Sequence, residues 1–358
     1  MKALFLKGVK DLVLEEVLVP EISDDEVLVE VKYCGICGSD VHSYLECIPN
    51  PPGSYLGHEF SGVVAGAGKK VKDWKRGERV TVQPTYVCGE CYACRHSQQS
   101  ECEHRAEHGI GLAGGRENAG AFARFVRVAV PEWRLHRLPD EVSFEEGALV
   151  ELLACSLHGV RISGFSAGEH AMVLGAGPIG LGTIAFLKYA GAGLIIAVVG
   201  SRSANTEIFK KRAELARKLG ADYVLNLQET PDLKEKVAEL TDGRGVDVAF
   251  ECSGAPRAFL SAPDFLKRRG RVLLLGVIEE ECPIIPHKWS YKELRLQGSS
   301  LYGADEFPIV IEFLKKGILP VKEMITSKIY LRDVIEQGFN VKSKPGNDEI
   351  KILVEPDG

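Results

Sequence analysis

Four cysteines stand close enough in the sequence to hold one metal ion. Cys88, Cys91, Cys94 and Cys102 follow the pattern C-x2-C-x2-C-x7-C. The two short spacings let successive sulfurs turn toward one point, and four thiolates form the closed tetrahedral shell of a structural zinc site. An iron–sulfur cluster takes the same ligands, but no other segment indicates electron transfer. A disulfide cluster or a redox switch would also account for closely spaced thiols, and we predict a structural zinc lobe at about residues 86–104.

A second group of ligand types lies nearer the N-terminus. "YCGICGSDVH" covers residues 33–42 and "GHEFSGVV" covers residues 57–64, and together they supply Cys37, His58 and Glu59. Two or three protein ligands from separate loops leave an open coordination position, as a catalytic zinc requires. Taken singly, Cys37 and His58 are better explained as buried core residues. Their combination with the first cluster favours a metal centre.

A glycine motif indicates a nucleotide site. "AMVLGAGPIGLGTIAFLKYAG" spans residues 171–191: a short apolar run suited to a buried strand is followed by G-x-G-x-x-G and a helical pattern. The first glycine permits a tight turn, the second lets a pyrophosphate approach the backbone, and the third permits close helix–strand packing. The N-terminus of the helix offers free N–H groups to the phosphates. The predicted contacts are Gly175, Gly177, Pro178, Ile179 and Gly180.

The segment after the next strand bears on the choice of nucleotide. An acidic residue about 20 positions beyond the motif normally binds the ribose hydroxyl of NAD. Here the strand 194–199 is followed by Gly200, Ser201, Arg202 and Ser203, and no carboxylate occurs before Glu207. A guanidinium beside small hydroxyl residues suits a 2′-phosphate. The sequence therefore slightly favours NADP, and NAD bound beside a polar loop is the alternative.

Length and composition limit the number of domains, the partners and the location that we expect. The chain has 358 residues, a formal net charge of −6 and 26% charged residues, typical of a globular protein of about two domains. The absence of a long basic run argues against nucleic acid as a partner. The N-terminus lacks a secretory pattern, and no apolar run is long enough to span a bilayer. We expect a cytoplasmic protein with reduced thiols.

Two different patterns divide the chain. Residues 1–152 contain alternating runs such as "EVLVEVKY" and "FARFVRVAV", which predict a β-rich unit. Residues 153–300 alternate helix and strand: "FKKRAELARKLG" precedes "DYVLN", "LKEKVAELT" precedes "VDVAFECSG", and helical "APDFLKRRG" precedes "RVLLLGV". Repeated β-α units predict an α/β fold with a parallel, doubly wound sheet and a ligand site at the carboxyl ends of its strands.

The chain resembles the zinc-dependent medium-chain alcohol and polyol dehydrogenases nearly end to end. The resemblance is carried by "CGICGSD", "GHEFSGVV", "LVELLACSLHGV" and "VLGAGPIG", together with the four-cysteine lobe. "HGIGLAGG", "GSSLYGADEF" and "EQGF" are most similar to the 2,3-butanediol dehydrogenase branch, and sorbitol and threonine dehydrogenases share the main motifs. The resemblance implies a GroES-like catalytic domain at 1–152 and 301–358, and a Rossmann dinucleotide-binding domain at 153–300.

The resemblance also implies a ligand set for the catalytic zinc. Cys37 and His58 would bind the ion. Glu151, in "VELLA", stands where some family members carry a second cysteine, and Glu59 is a ligand in others. An exchange between the two carboxylates is therefore expected. One thiolate with a carboxylate leaves the metal poorer in electrons than two thiolates would.

The implied reaction is the reversible oxidation of a secondary alcohol to a ketone, with hydride transfer to NAD(P). Ser39 would be the first proton relay and His42 the base on the solvent side, whereas Cys252, Gly276 and Val277 would line the nicotinamide. The expected substrate is a vicinal diol such as 2,3-butanediol, or a polyol. A sorbitol or L-threonine 3-dehydrogenase is the alternative enzyme, and a zinc- and nucleotide-binding protein without chemistry is the alternative outside enzymes. The family also implies a homodimer or homotetramer.

Overall fold

The structure is a computed structural model that describes residues 1–96, 98, 101–104, 109–111, 120–200, 207–227, 229–230, 232–344, 346–347 and 349–356. The chain divides into two compact units. The first unit comprises Met1–Glu151 and Gly303–Gly358, and the second comprises Leu152–Tyr302. The first unit is therefore assembled from both ends of the sequence, and the second is continuous.

The described residues contain sixteen strands. They are β1 (Lys2–Gly8), β2 (Asp11–Glu16), β3 (Val27–Gly35), β4 (Ser54–Tyr55), β5 (Glu59–Ala67), β6 (Arg79–Val82), β7 (Phe125–Val128), β8 (Leu135–Arg137), β9 (His170–Leu174), β10 (Leu194–Val199), β11 (Tyr223–Asn226), β12 (Val246–Glu251), β13 (Leu266–Leu274), β14 (Arg295–Gly298), β15 (Ile325–Tyr330) and β16 (Lys351–Glu355).

Helices connect these strands and are longest in the second unit. Within the part of the chain that the structure describes, no helix is both long and apolar enough to cross a bilayer. The α-helices are α1 (Gly38–Glu46), α2 (Tyr92–Arg95), α3 (Pro131–Arg134), α4 (Phe144–Gly147), α5 (Val150–Ile162), α6 (Pro178–Tyr189), α7 (Glu207–Lys218), α8 (Leu233–Leu240), α9 (Pro256–Phe265), α10 (Pro286–Lys292), α11 (Glu306–Lys315) and α12 (Asn340–Lys342). Two 3₁₀ turns, Val321–Met324 and Leu331–Asp333, and a π-helix, Val334–Phe339, lie between α11 and α12.

The first unit is built on two sheets. The smaller sheet has the order β2-β1-β4, and the larger has the order β15-β16-β3-β5-β6-β8 with β7 also paired to β3. In β3 the alternate residues Val27, Val29 and Val31 are buried in the core, as expected for a strand with one covered face. The strands predicted from "EVLVEVKY" and "FARFVRVAV" are confirmed as β3 and β7.

The central strands of the larger sheet bring three chain segments to one end of it. β3 runs antiparallel to β5, and Gly35 at the end of β3 pairs with Glu59 at the start of β5. On its other side, Gly35 pairs with Leu353 of β16. Helix α1 begins at Gly38, directly after β3. The residues of the candidate metal centre therefore come from strand ends that the sheet holds in register.

The second unit contains a six-stranded parallel sheet of order β11-β10-β9-β12-β13-β14. β9, β10 and β12 are almost entirely buried, as is usual when helices cover both faces of a sheet. The strand order reverses between β9 and β12, and a doubly wound sheet binds ligands at such a switch point. The predicted α/β fold with a β-rich unit and a doubly wound parallel sheet is confirmed.

The helix that the sequence predicts at residues 262–270, "APDFLKRRG", is wrong over its second half. α9 ends at Phe265, and the following residues begin β13. Leu266 is buried and pairs with Val246 of β12. Arg269 has a φ of 62°, in the left-handed region that cannot continue a right-handed helix. Burial of Leu266 in the core outweighs the good helix propensity of the charged residues after it.

Candidate active site and metal centres

The four cysteines of the predicted lobe converge on one point. Their four Sγ atoms lie within 4.8 Å of one another. Cys91 caps the short helix α2, and its N–H donates to Sγ of Cys88 at 3.3 Å. The N–H of Cys88 donates to Sγ of Cys102 at 3.4 Å. All ten cysteines lie within the described residues and are free thiols, so the four converge without a disulfide bond.

The electrostatics of this cluster favour a bound cation. The backbone N–H groups of Cys94 and Glu103 lower the pKa of Cys91 to about 6. Burial raises the pKa of Cys94 to about 12. The cluster therefore offers one thiolate near neutral pH and holds further protons that a metal ion would displace.

Cys37, His58 and Glu59 form a second group whose ligand atoms lie within 4.8 Å of one another. Cys37 is the N-cap residue of α1, Glu59 is the first residue of β5, and His58 directly precedes that strand. His58 and Glu59 are buried, whereas Cys37 is partly exposed. The hydroxyl of Ser39 lies 3.4 Å from Nε2 of His58. A thiol, an imidazole and a carboxylate thus lie close enough together to share one ion.

Asp40 sets the orientation of the His58 ring. Its Oδ1 lies 3.4 Å from Nδ1 of His58, and both side chains are buried. The carboxylate also accepts hydrogen bonds from the N–H of Cys37 at 3.0 Å and of Gly57 at 3.3 Å. Burial alone would lower the pKa of His58, but Asp40 and Cys37 outweigh it and raise that pKa well above its usual value. A carboxylate beside one ring nitrogen is the arrangement often found behind a metal-ligating imidazole, and here it leaves Nε2 on the side of Ser39.

A buried lysine lies beside the same group. Nζ of Lys351 donates to both carboxylate oxygens of Glu59, at 2.9 and 2.6 Å, and to the carbonyl of Ile36 at 3.1 Å. Burial alone would lower the pKa of Lys351, but the Glu59 carboxylate, with Cys37, raises it. The lysine is therefore charged, and Glu59 is paired with a cation before any metal is considered.

The sequence alone did not lead us to Asp40 or Lys351, although it contains a feature that indicates a structural role for each. Asp40 is the third residue of α1, and its side chain accepts from the N–H of Cys37 in a capping box. Lys351 begins the otherwise apolar run "KILV", in which all four residues are buried. A charged residue in a buried strand requires a partner.

The two predicted relay residues share α1. Ser39 and His42 stand three residues apart, so they lie on the same face of the helix. Nδ1 of His42 is buried and has no hydrogen-bond partner among the described residues.

Glu151 occupies a different place in the structure. It is the second residue of α5 and is buried. Among the described residues, the group of neighbouring ligand atoms contains Cys37, His58 and Glu59 and does not include Glu151. Its role as a zinc ligand stays a prediction.

The glycine motif forms the predicted turn between β9 and α6. Gly175 has a φ of 105°, which favours glycine, and a Cβ at Gly180 would overlap the carbonyl oxygen of Gly175. At Gly177, by contrast, a Cβ would meet no atom within 4 Å. Pro178 is the first residue of α6, and the first turn of this helix has neither a side-chain cap nor an acidic residue. Open space and uncapped N–H groups suit a pyrophosphate.

The other predicted nucleotide residues lie at the ends of neighbouring strands. A Cβ at Gly175 would lie 2.8 Å from Cβ of Ser253, in the turn after β12. A Cβ at Gly254 would lie 2.6 Å from the carbonyl oxygen of Val277. The structure thus brings together the β9, β12 and β13 turns, which carry Gly175, Cys252, Gly276 and Val277.

A buried carboxylate in the segment "ECSG", residues 251–254, shapes this region. Glu251 accepts hydrogen bonds from the N–H of Ser253 at 2.8 Å and of Gly254 at 3.2 Å.

Gly200 is exposed directly after β10. The remaining residues predicted to choose between NAD and NADP, Ser201, Arg202 and Ser203, lie outside the described residues.

Comparison with known proteins identifies both units. Residues 23–140 match the alcohol dehydrogenase GroES-like domain, and residues 178–316 match the zinc-binding dehydrogenase domain. The chain is 37% identical to (R,R)-butanediol dehydrogenase of Bacillus subtilis over 99% of this chain and 100% of that protein. The chain belongs to the zinc-dependent medium-chain alcohol dehydrogenase family.

Other members of this dehydrogenase family are similar over the full length. Sorbitol dehydrogenase of Bacillus subtilis is 32% identical over 99% of this chain and 97% of that protein. The solved structure of a zinc-binding dehydrogenase from Sinorhizobium meliloti bound to NADP has a TM-score of 0.84 and 33% identity, with 99% of both chains covered. The predicted resemblance to the medium-chain dehydrogenases, near the butanediol branch, is confirmed.

The side chains of this medium-chain dehydrogenase fit the groups that its family implies. Four converging thiols suit a closed structural zinc site. Cys37, His58 and a carboxylate suit a zinc site with an open position, because three protein ligands leave the fourth place free. The carboxylate of Asp40 lies behind the imidazole, as is common for a metal-ligating histidine. The space at Gly177 and the uncapped start of α6 suit a dinucleotide.

Proposed function

We propose that this protein reversibly oxidises a secondary alcohol of a vicinal diol or polyol to a ketone, with NAD(P) as the hydride acceptor. The observation that carries the proposal is the convergence of Cys37, His58 and Glu59 within 4.8 Å. The named relatives act on butanediol and sorbitol, and both compounds carry adjacent hydroxyl groups. 2,3-Butanediol is our first candidate among the substrates.

In this proposal Cys37 and His58 hold the catalytic zinc, with Glu59 or Glu151 as the carboxylate ligand. Zinc supplies Lewis-acid character that makes an alcohol hydroxyl easier to deprotonate. Asp40 keeps the imidazole of His58 in one orientation through its contact at 3.4 Å. Cys88, Cys91, Cys94 and Cys102 hold a second, structural zinc.

Ser39 and His42 are proposed to move the substrate proton. The Ser39 hydroxyl lies 3.4 Å from the metal-facing nitrogen of His58, so it borders the place where an alcohol would bind. His42 lies on the same face of α1, and its buried Nδ1 has no hydrogen-bond partner among the described residues. Imidazole is the commonest general base in enzymes, which suits a group that passes the proton to solvent.

The glycine turn and its neighbours are proposed to hold the nicotinamide cofactor, which supplies the hydride acceptor. Gly175, Gly177, Pro178, Ile179 and Gly180 would receive the pyrophosphate at the start of α6. The β12 and β13 turns, with Cys252, Gly276 and Val277, would face the nicotinamide. Gly200, Ser201, Arg202 and Ser203 slightly favour NADP over NAD, and the Sinorhizobium dehydrogenase is bound to NADP.

The unit that contains Met1–Glu151 is proposed to be the catalytic domain, and Leu152–Tyr302 the dinucleotide-binding domain.

We further propose a homodimer or homotetramer. β14 is the last strand of its sheet, all four of its residues are exposed, and its outer edge has no strand partner in the described part of the chain. Such an edge is a template for pairing with a second copy.

Free thiols at all ten cysteines are consistent with a proposed cytoplasmic location.

A steady-state panel tests the substrate and the cofactor together. The purified protein is assayed with 2,3-butanediol stereoisomers, sorbitol, other polyols and L-threonine, each with NAD and with NADP. We expect the highest kcat/KM for a vicinal diol, with NADP at least as good as NAD. Higher kcat/KM for sorbitol or threonine would support the alternative enzymes. A lack of turnover with every substrate by zinc-loaded protein would support a binding protein without chemistry.

A further inference from the structure

Lys351 and Glu59 form a buried ion pair at the edge of the candidate catalytic zinc site. Nζ of Lys351 donates to both carboxylate oxygens of Glu59, at 2.9 and 2.6 Å, and to the carbonyl of Ile36 at 3.1 Å. The two side chains have exposed fractions of 2% and 1%. All three ammonium hydrogens have acceptors, so this cation is fixed in one position.

The ion pair lies beside Gly35, a position of β3 that has no side chain. β16, which begins with Lys351, and β5, which begins with Glu59, lie on opposite sides of β3. Gly35 at the end of β3 lies between them, and a Cβ there would overlap Oε2 of Glu59 and lie 3.4 Å from Cδ of Lys351. The missing side chain at Gly35 therefore lets the lysine reach across the strand end to the carboxylate.

The same carboxylate belongs to the candidate ligand group. One Glu59 oxygen lies within 4.8 Å of Sγ of Cys37 and of a ring nitrogen of His58. Glu59 thus accepts from the ammonium of Lys351 and also neighbours the two side chains that would hold the divalent ion. A carboxylate oxygen that is engaged by an ammonium is a weaker metal ligand, because part of its charge is already neutralised.

We propose that Lys351 is a positioning residue that holds the Glu59 carboxylate back from the catalytic zinc and thereby sets how fast zinc leaves the site. The inference rests on the proposed zinc site at Cys37 and His58. Without the ammonium, the divalent ion is the nearest cation to a buried carboxylate, and Glu59 closes onto it. A lysine that serves packing alone predicts the opposite, since a damaged site loses its metal faster.

Zinc release to a chromogenic chelator tests the inference. Lys351→Met is expected to slow release from the catalytic site about tenfold or more, the size of effect typical of groups behind a metal ligand. Lys351→Arg keeps the charge and is expected to release zinc within about threefold of the wild-type rate. The zinc held by Cys88 and its partners is the internal reference, and its release is expected to be unchanged. The phase that Cys37→Ala abolishes identifies the catalytic site.

A double-mutant cycle shows whether the effect passes through Glu59. In a Glu59→Gln background the carboxylate charge is gone, so the further change Lys351→Met is expected to leave the release rate unchanged. Slower release that persists in this background would overturn the inference, because the lysine would then act on the metal as a distant charge. Lys351→Gln, which keeps a donor but loses the charge, is measured alongside in case the methionine variant does not fold, and it too is expected to slow release.

The outcomes separate this inference from the proposed function. Wild-type protein that binds zinc only at the four cysteines would overturn the proposed catalytic site and the inference with it. Suppose that the wild-type protein binds two zinc ions, but that Lys351→Met or Lys351→Gln releases the catalytic zinc at the wild-type rate or faster. This result would overturn the inference alone.

Discussion

The carboxylate of Asp40 lies 3.4 Å from Nδ1 of His58, and both side chains are buried. Two backbone N–H groups also donate to this carboxylate, one from Cys37 and one from Gly57. A single carboxylate therefore links two proposed zinc ligands that are twenty-one residues apart in the sequence. Asp40 lies in the first turn of α1, so this helix places a carboxylate beside the imidazole.

Replacement of Asp40 tests this link. Asp40→Asn keeps the shape of the side chain but removes the charge that fixes the ring. We expect zinc affinity at the catalytic site to fall about 10- to 100-fold, measured by competition with a chelator. Asp11→Asn, at an exposed position on β2, is the matched control and should bind zinc as the wild type does. Unchanged affinity in Asp40→Asn would show that the ring needs no support from this carboxylate.

The four-cysteine site is expected to be structural. Cys88→Ser removes one of the four ligands, so zinc content should fall by about one ion per subunit and the thermal midpoint should decrease. Nucleotide affinity should stay the same, because the proposed nucleotide site lies in the second unit, Leu152–Tyr302. Zinc content is measured by elemental analysis, with Cys282→Ser as a control outside the cluster. A Cys88→Ser variant that keeps its full zinc content would contradict the assignment.

Two glycines of the nucleotide turn should respond differently to the same change. Gly177→Ala adds a methyl group in open space, so stability should be unaffected, while nucleotide binding should weaken about tenfold or more because the pyrophosphate loses its approach. Gly180→Ala forces a methyl group against the carbonyl of Gly175, so stability should fall by about 1–3 kcal/mol. Thermal unfolding and nucleotide titration separate the two effects, with Gly8→Ala as a control at an open site. Equal stability loss in both variants would contradict this interpretation of the turn.

His136 gives the stability a predictable dependence on pH. It pairs with Thr81 in the sheet, stacks on Phe307 with ring centroids 4.9 Å apart, and burial lowers its pKa from 6.5 to about 4. Between these two values the unfolded chain binds a proton that the folded chain does not. The histidine's contribution is therefore complete above pH 6.5 and is lost as the pH falls to 4, and amounts to about 3 kcal/mol.

The variant His136→Leu removes this titration. Chemical unfolding at a series of pH values should show a smaller loss of stability between pH 6.5 and 4 in the variant than in the wild type. Parallel curves for the two proteins would show that His136 is not held neutral by the fold.

Local patterns are sufficient to predict much of this molecule. The strand–glycine turn–helix from β9 to α6 and the alternation of β3 follow from short-range periodicity, which is why both are confirmed. The predicted helix at residues 262–270, which is wrong after Phe265, shows the limit of this reasoning. The start of β13 depends on the pairing of Leu266 with Val246, a contact across twenty residues that no local window contains.

The candidate site shows the same limit. Closely spaced ligand types identify Cys37, His58 and Glu59 as a group, but Lys351 lies 292 residues from Glu59 along the chain. Only the order of β16, β3 and β5 brings these two residues together. A sequence can indicate that Lys351 requires a partner, but the choice of Glu59 is a property of the folded sheet.

The most direct test of this account is the rate of diol oxidation by Cys37→Ala. Loss of a metal ligand should remove Lewis-acid assistance worth several kcal/mol, so the initial rate with a saturating vicinal diol and cofactor should fall about a thousandfold or more. The variant should still bind nucleotide, and it should retain the zinc held by Cys88, Cys91, Cys94 and Cys102. A Cys37→Ala protein that oxidises the diol at the wild-type rate would contradict zinc-assisted catalysis at this site.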